Sequence, residues 1–73
     1  MNRATLERAI DLNNRIISIS STITDLRNSS RDLVLFDRST RSTICELDDD
    51  TLAVIIDALV NKENTLKQEF ASL

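Results

Sequence analysis

Apolar residues in the first part of the chain recur at alternating steps of three and four. They are Leu12, Ile16, Ile19, Ile23 and Leu26. This spacing is typical of a helical hairpin or coiled coil, because it places the side chains on one face of a helix. Further apolar residues widen that face: Leu6, Ala9, Ile10 and Ile17. The pattern predicts a helix over residues 2–30, with Asn2 as its N-terminal cap.

The last part of the chain has the same periodicity and begins with three aspartates, Asp48 to Asp50. Carboxylates suit the start of a helix, because they accept hydrogen bonds from free backbone N–H groups at the positive end of the helix dipole. Apolar residues then follow at Leu52, Ile56, Leu59, Leu66, Phe70 and Leu73, with Glu63 interrupting the series. We therefore predict a second helix over residues 49–70.

The first half of this second helix is apolar around most of its circumference. A two-helix hairpin buries only one face of each helix, so the surplus predicts a further contact, most simply with another subunit. The predicted interface consists of Leu52, Val54, Ile55, Ile56, Leu59 and Val60. A chain of 73 residues buries a modest fraction of its surface, which also favours a homo-oligomer.

Residues 33–47 interrupt the helical pattern. An apolar run from Leu33 to Phe36, followed by β-branched Thr43 and Ile44, favours two short strands joined by a polar turn over residues 37–40. The chain lacks glycine, so a type I turn or a longer loop is expected instead of a two-residue primed turn. The alternative extends the first helix through Phe36. An isolated β-hairpin is marginally stable, so it must pack on the helices or pair with another chain.

These elements predict one mainly α domain: an antiparallel two-helix hairpin with a short β-hairpin or extended insert between the helices, completed by oligomerisation. Proline is absent as well as glycine, which removes the usual helix breakers. No apolar run reaches the length of about 18 residues that a membrane span needs, and the N-terminus lacks the apolar core of a signal peptide. With a single cysteine, we expect a cytoplasmic protein with a reduced thiol.

One stretch, "RSTRST" at 38–43, concentrates hydrogen-bond donors. The guanidinium groups of Arg38 and Arg41 can offer forked donors to phosphate or carboxylate. The hydroxyl groups add further donors: Ser39, Thr40, Ser42 and Thr43. In an oligomer, several copies could converge on a small anionic nucleotide. The alternative is a solvated loop whose hydroxyls satisfy the backbone.

The composition argues against catalysis. The chain has no histidine, which excludes Cys–His and Ser–His pairs, and Glu46 disfavours a thiolate at Cys45. We interpret Cys45 as a buried small apolar side chain or an inert thiol. The run Asp48 to Asp50 lacks the spacing and the glycine of an EF-hand loop, so no metal is predicted. We predict no enzyme and no cofactor. A net charge of −3 with scattered basic residues argues against nucleic acid as a partner.

The order of a long helix, an extended insert, an acidic cap and a second helix resembles small bacteriophage-encoded proteins. The stretch "LDDDTLAVIIDALVNKENTLKQEF" at 47–70 carries most of the likeness. Such proteins include inhibitors of host defence, anti-CRISPR proteins among them, and sponges for signalling nucleotides. The resemblance implies binding rather than catalysis. We expect a self-associating inhibitor that sequesters a host factor without catalysis, with a protein as the expected partner. The alternatives are a sponge for a phosphorylated, cyclic nucleotide at residues 38–43, or a purely structural assembly module.

Overall fold

The computed structural model describes residues 2–29 and 32–73. Its elements in chain order are α1 (Arg3–Arg27), β1 (Leu33–Asp37), β2 (Ser42–Leu47) and α2 (Asp49–Ala71). The prediction of a mainly helical chain, with two helices and a short antiparallel β-hairpin between them, is confirmed. The alternative that extends the first helix through Phe36 is wrong, because Phe36 lies in β1.

Side-chain caps begin both helices, as the sequence predicts. The Asn2 side chain accepts a hydrogen bond from the Thr5 N–H group at 2.8 Å, and the Asp48 carboxylate accepts one from the Thr51 N–H group at 2.7 Å. At its other end α1 stops at Arg27, where the Ser29 hydroxyl donates to the Leu26 carbonyl oxygen at 2.9 Å. Such local bonds compete with continued helix. The predicted end at residue 30 lies outside the described residues.

The two helices pack on each other through the predicted apolar stripes. The most buried side chains are Leu12 and Ile23 of α1 and Leu52 and Leu66 of α2, each at most 5% exposed. Near one end of the pair, Arg8 Nη2 lies 3.4 Å from Glu69 Oε2. Full burial of a large apolar side chain contributes about 1.5–3 kcal/mol. Because only these four side chains among the described residues are almost fully buried, the core contributes little stability.

Glu63, which interrupts the apolar series of α2, is accommodated by an ion pair within its own helix. Its side chain is only 15% exposed, and its Oε1 atom lies 3.5 Å from the Lys67 Nζ atom. The lysine keeps its charged end more exposed, as long cationic side chains usually do. A carboxylate can therefore lie beside the apolar stripe with a cation in reach.

The two strands pair antiparallel from Leu33 opposite Leu47 to Asp37 opposite Ser42. Leu35 pairs with Cys45 and Phe36 pairs with Thr43, so Ile44 is an extra residue that forms a β-bulge on β2. The loop covers residues 38–41, one residue later than the predicted turn. Its last residue, Arg41, has φ of 56°. A left-handed residue at the end of a longer hairpin loop is a usual way to close it.

The β-hairpin stands apart from the helical pair. In the part of the chain that the structure describes, α1 packs on α2 and β1 pairs with β2, but strands and helices make almost no contact. The radius of gyration is 15.6 Å, whereas a compact chain of this length has about 11 Å. The exposed surface is 5737 Å², whereas a compact monomer of this mass exposes about 4,500 Å². The chain therefore leaves about 1,200 Å² more surface in water than a compact monomer does.

Candidate functional site

The loop at the tip of the β-hairpin is organised around the Asp37 carboxylate. Its Oδ1 atom accepts hydrogen bonds from the Ser39 hydroxyl at 2.8 Å, the Ser39 N–H group at 2.9 Å and the Thr40 N–H group at 3.4 Å. The hydroxyls of Thr40 and Ser42 bond to each other at 2.8 Å. Asp37 was not among the predicted site residues, although an aspartate before a polar turn is a common acceptor for turn N–H groups.

These bonds lower the pKa of the Asp37 carboxyl. The Ser39 hydroxyl has the largest effect, followed by the N–H groups of Ser39 and Thr40. At the start of α2, the hydrogen bond from the Thr51 N–H group likewise lowers the pKa of Asp48. In both cases the bonds favour the charged carboxylate over the protonated form. The loop therefore holds a fixed negative charge at neutral pH.

The structure brings all six predicted anion-binding residues to this tip, in the loop and the start of β2. Arg38 and Arg41 are exposed, and neither forms an ion pair with another described residue. Ser39, Thr40 and Ser42, in contrast, use their hydroxyls inside the loop. Two guanidinium groups without an ion-pair partner suit the binding of an anion. The negative charge of the neighbouring Asp37 carboxylate, however, repels an anion. The hydrogen bonds within the loop are of the kind expected for the alternative interpretation, a solvated loop whose hydroxyls bond locally.

The largest feature of the hairpin is its exposed apolar surface. Val34, Leu35 and Phe36 of β1 are 47%, 48% and 49% exposed, and Ile44 of β2 is 62% exposed. Consecutive residues of a strand point to opposite faces of a sheet. Apolar side chains therefore lie on both faces of this hairpin, and no helix covers either face within the described residues. We call these four residues the hairpin patch.

The hairpin patch was not among the predicted interface residues. The signal for it is the uninterrupted run from Leu33 to Phe36. A strand that is solvated on one face alternates apolar and polar residues, whereas a continuous apolar run is typical of a strand covered on both faces. The sequence also predicted that the hairpin must pack on the helices or pair with another chain. The structure excludes extensive packing on the helices for the described residues.

The predicted interface on α2 is divided among three environments. Leu52 is 4% exposed and belongs to the core, and the structure also leaves four members partly buried: Ile55, Ile56, Leu59 and Val60. Val54 is 67% exposed and offers the most free surface. The interface on α2 stays a prediction, and Val54 is the member that most directly tests it.

A second exposed stripe lies on α1. Leu6, Ile10 and Ile17 are 51%, 54% and 59% exposed, and they are three of the four residues that widen the apolar face in the sequence. An open groove of about 410 Å³ begins beside Ile17 and is bordered on α2 by Glu63 and Lys67. The groove is open to solvent and bordered by both apolar and polar side chains, so it does not enclose a ligand as a usual small-molecule pocket does.

Cys45 is exposed, so its interpretation as a buried apolar side chain is wrong. It lies opposite Leu35 in the hairpin, where the bulge and the sparse covering leave it open to water. Within residues 2–29 and 32–73, no three cysteine, aspartate or glutamate side chains come together as metal ligands would. No helix of the described chain has both the length and the apolar character that crossing a membrane requires.

No protein-family model, curated protein or solved structure matches this chain. The case for a function therefore depends on the geometry of the described residues.

The Asp37 loop predicts a specific pH dependence. The pKa of the Asp37 carboxyl is lower in the folded chain than in the unfolded chain. The carboxylate therefore stabilises the fold above its unfolded pKa, near pH 4, and this contribution is lost as the pH falls through its folded pKa. Ser39→Ala should raise the pKa of Asp37 toward its ordinary value, because it removes the hydroxyl hydrogen bond that lowers this pKa most. A titration of the Asp37 carboxyl by NMR measures this.

Ser42→Ala is the matched control, since the Ser42 hydroxyl bonds to Thr40 and not to Asp37. It should leave the pKa of Asp37 almost unchanged. An equal shift in both variants, or no shift in Ser39→Ala, would contradict the account of the loop.

Proposed function

We propose that this chain is a non-catalytic binding protein that completes its structure as a homo-oligomer. The observation that carries the proposal is the hairpin patch of Val34, Leu35, Phe36 and Ile44. These residues are about half exposed or more, on a β-hairpin that touches the helices very little. A two-stranded hairpin alone is marginally stable in water, and it gains stability when further strands or another surface cover it.

The surplus exposed area of the chain is large enough for a protein–protein interface. The surplus over a compact monomer is about 1,200 Å², and a standard protein interface buries about 800 Å² on each partner. Covering the rest of each patch side chain contributes about 1 kcal/mol, roughly half of its full burial. A second copy of the chain is the partner that is present wherever the first is made, which makes self-association the simplest way to cover the patch.

The exposed stripe of Leu6, Ile10 and Ile17 supports an additional protein partner. These side chains lie on one flank of α1, each more than half exposed. A helix with such a face can pack into an apolar groove of another protein. In this proposal the oligomer inhibits or sequesters its target by stoichiometric binding, as the phage-encoded inhibitors that it resembles in layout do. An assembly module would self-associate in the same way but would have no separate target.

A nucleotide sponge is the second candidate, favoured by one observation. The guanidinium groups of Arg38 and Arg41 lie within one exposed loop and have no ion-pair partner among the described residues. Oligomerisation would bring several such loops into one particle, and each loop would offer the two guanidinium groups of Arg38 and Arg41 against one Asp37 carboxylate. This candidate needs an oligomer in which the loops of different copies lie side by side, so an oligomer that holds the loops apart would exclude it.

Self-association is tested by sedimentation at micromolar concentration, where the wild type should be a dimer or larger. Val34→Thr should weaken association about tenfold, because it keeps a β-branched side chain but places a hydroxyl in both copies of the patch. Val54→Thr is the same chemical change on α2, and it should have a smaller effect if the hairpin carries the interface.

The two variants also separate the two candidate interfaces. A loss of association in Val54→Thr but not in Val34→Thr would assign the contact to α2 and contradict the role of the hairpin patch. A wild type that stays monomeric and fully folded at micromolar concentration would overturn self-association itself.

The sponge is tested by calorimetric titration with a panel of cyclic and linear nucleotides. If residues 38–43 bind phosphate, Arg38→Ala and Arg41→Ala should each weaken binding about tenfold or more, since a hydrogen bond to a charged group contributes about 1.5–3 kcal/mol. Lys62→Ala removes an exposed positive charge from α2 and serves as the control. No heat from the wild type with any nucleotide of the panel would remove the sponge for that panel.

A further inference from the structure

The two edges of the β-hairpin differ in how well they resist pairing with another strand. β1 presents the uninterrupted apolar run from Leu33 to Phe36, with charges only at its ends, Asp32 and Asp37. β2 carries a bulge at Ile44 and a charge at Glu46. Bulges and charges are the devices by which natural proteins prevent edge-to-edge pairing. The β2 edge is therefore protected, and the β1 edge is open.

We propose that two copies of the chain pair antiparallel through their β1 edges, with Leu35 on the two-fold axis. This inference depends on the self-association proposed above and specifies its geometry. The product is a four-stranded antiparallel sheet with the two β1 strands at its centre and the two β2 strands at its edges. A two-stranded hairpin alone is marginally stable, whereas a sheet of three or more strands with an apolar face can be stable. The protected β2 edges stop the pairing at two copies.

The charge pattern fits this register. A two-fold axis normal to the sheet keeps each side chain and its symmetry mate on the same face, so the axis must pass a residue of β1 and not the space between two residues. With the axis at Leu35, Val34 lies opposite Phe36 of the second copy, and Asp32, just before β1, lies beside Arg38, the first loop residue after β1 of the second copy. Leu33 lies opposite Asp37, whose carboxylate already accepts hydrogen bonds within its own loop. Aromatic with β-branched and opposite-charge pairs are both favourable across antiparallel strands.

The neighbouring registers place Asp32 or Arg38, neither of which forms an ion pair with another described residue, against apolar side chains. An axis at Val34 would set Asp32 opposite Phe36 of the second copy. An axis at Phe36 would set Arg38 opposite Val34 and Asp37 opposite Leu35. The contacts of Asp32 and Arg38 remove water from a charged group that has no ion-pair partner among the described residues, which is unfavourable. Arg38, which has no ion-pair partner within the described chain, gains one only with the axis at Leu35.

Disulfide cross-linking of the full chain tests the register. Leu35→Cys is made with Cys45→Ser, because Cys45 lies opposite Leu35 in the hairpin and would otherwise form a bond within one chain. Two copies of a residue on the axis have Cα atoms about 4.5–5.5 Å apart, which is within the usual disulfide range of about 4.4–6.8 Å. Under mild oxidation Leu35→Cys should give a covalent dimer.

Val34→Cys and Phe36→Cys in the same Cys45→Ser background are the matched controls. With the axis at Leu35, two copies of either residue are diagonal neighbours about 7–8 Å apart, so each variant alone should cross-link slowly. A mixture of the two variants should cross-link rapidly, because Val34 and Phe36 lie opposite each other. Faster cross-linking of Val34→Cys or Phe36→Cys alone than of Leu35→Cys would overturn the register.

Charge exchange provides an independent measurement. Asp32→Arg or Arg38→Asp alone should weaken dimerisation about fivefold, because each puts like charges opposite one another at two places in the dimer. The double variant should restore most of the wild-type affinity. Additive weakening in the double variant would contradict the predicted pair.

Sedimentation of the wild type separates the failure of this inference from the failure of the proposed function. A wild type that self-associates, while Leu35→Cys cross-links no faster than its controls, leaves the homo-oligomer standing and removes pairing through β1. A wild type that is monomeric overturns both.

Discussion

A two-stranded sheet that barely touches any other element has two faces and two edges largely in water, and this constraint governs the whole structure. The helices of this chain bury their stripes against each other, with Leu12 and Leu66 among the residues at the centre. The hairpin of β1 and β2 has no such solution inside the chain. The four residues of the hairpin patch remain about half exposed or more. Because hydrophobic burial is the main favourable term in folding, this hairpin would gain stability from a surface that covered its patch.

The polar groups of the chain are, in contrast, largely satisfied locally. Asn2 and Asp48 cap the helices, Asp37 holds the loop, and Glu63 pairs with Lys67 one turn away. No buried side-chain nitrogen or oxygen lacks a partner within the described residues. The demand for a partner thus comes from apolar surface and from one strand edge. This is the reason that the proposed function is binding and that its first partner is a second copy.

The sequence predicted those parts of the fold that depend on local pattern. Steps of three and four residues placed Leu12, Ile23, Leu52 and Leu66 on the buried stripes, and capping chemistry placed both helix starts. The interface prediction used the same periodicity, but it could not distinguish Leu52, which the partner helix covers, from Val54, which stays exposed. That distinction depends on the rotation of each helix in the pair, and a single sequence does not determine it.

The position of the hairpin could not be predicted from local sequence patterns. Strand pattern and turn chemistry predicted its existence, but its separation from the helices depends on the directions in which the chain leaves α1 and enters α2. The one-residue shift of the loop follows from Arg41, whose left-handed backbone is uncommon outside glycine, asparagine and aspartate. The bulge at Ile44 is set by pairing with β1 and has no signature in the residue itself. All three features are consequences of tertiary geometry.

The most direct measurement of the central claim is hydrogen exchange of the β1 amides as a function of protein concentration. In a single hairpin, alternate β1 amides bond to β2 and the others face water, so the latter exchange rapidly at any concentration. If a second copy pairs with β1, these outer amides should be protected at high concentration and should lose protection on dilution, while amides near Leu12 change much less. Rapid exchange of the outer β1 amides that does not vary with concentration would contradict the account.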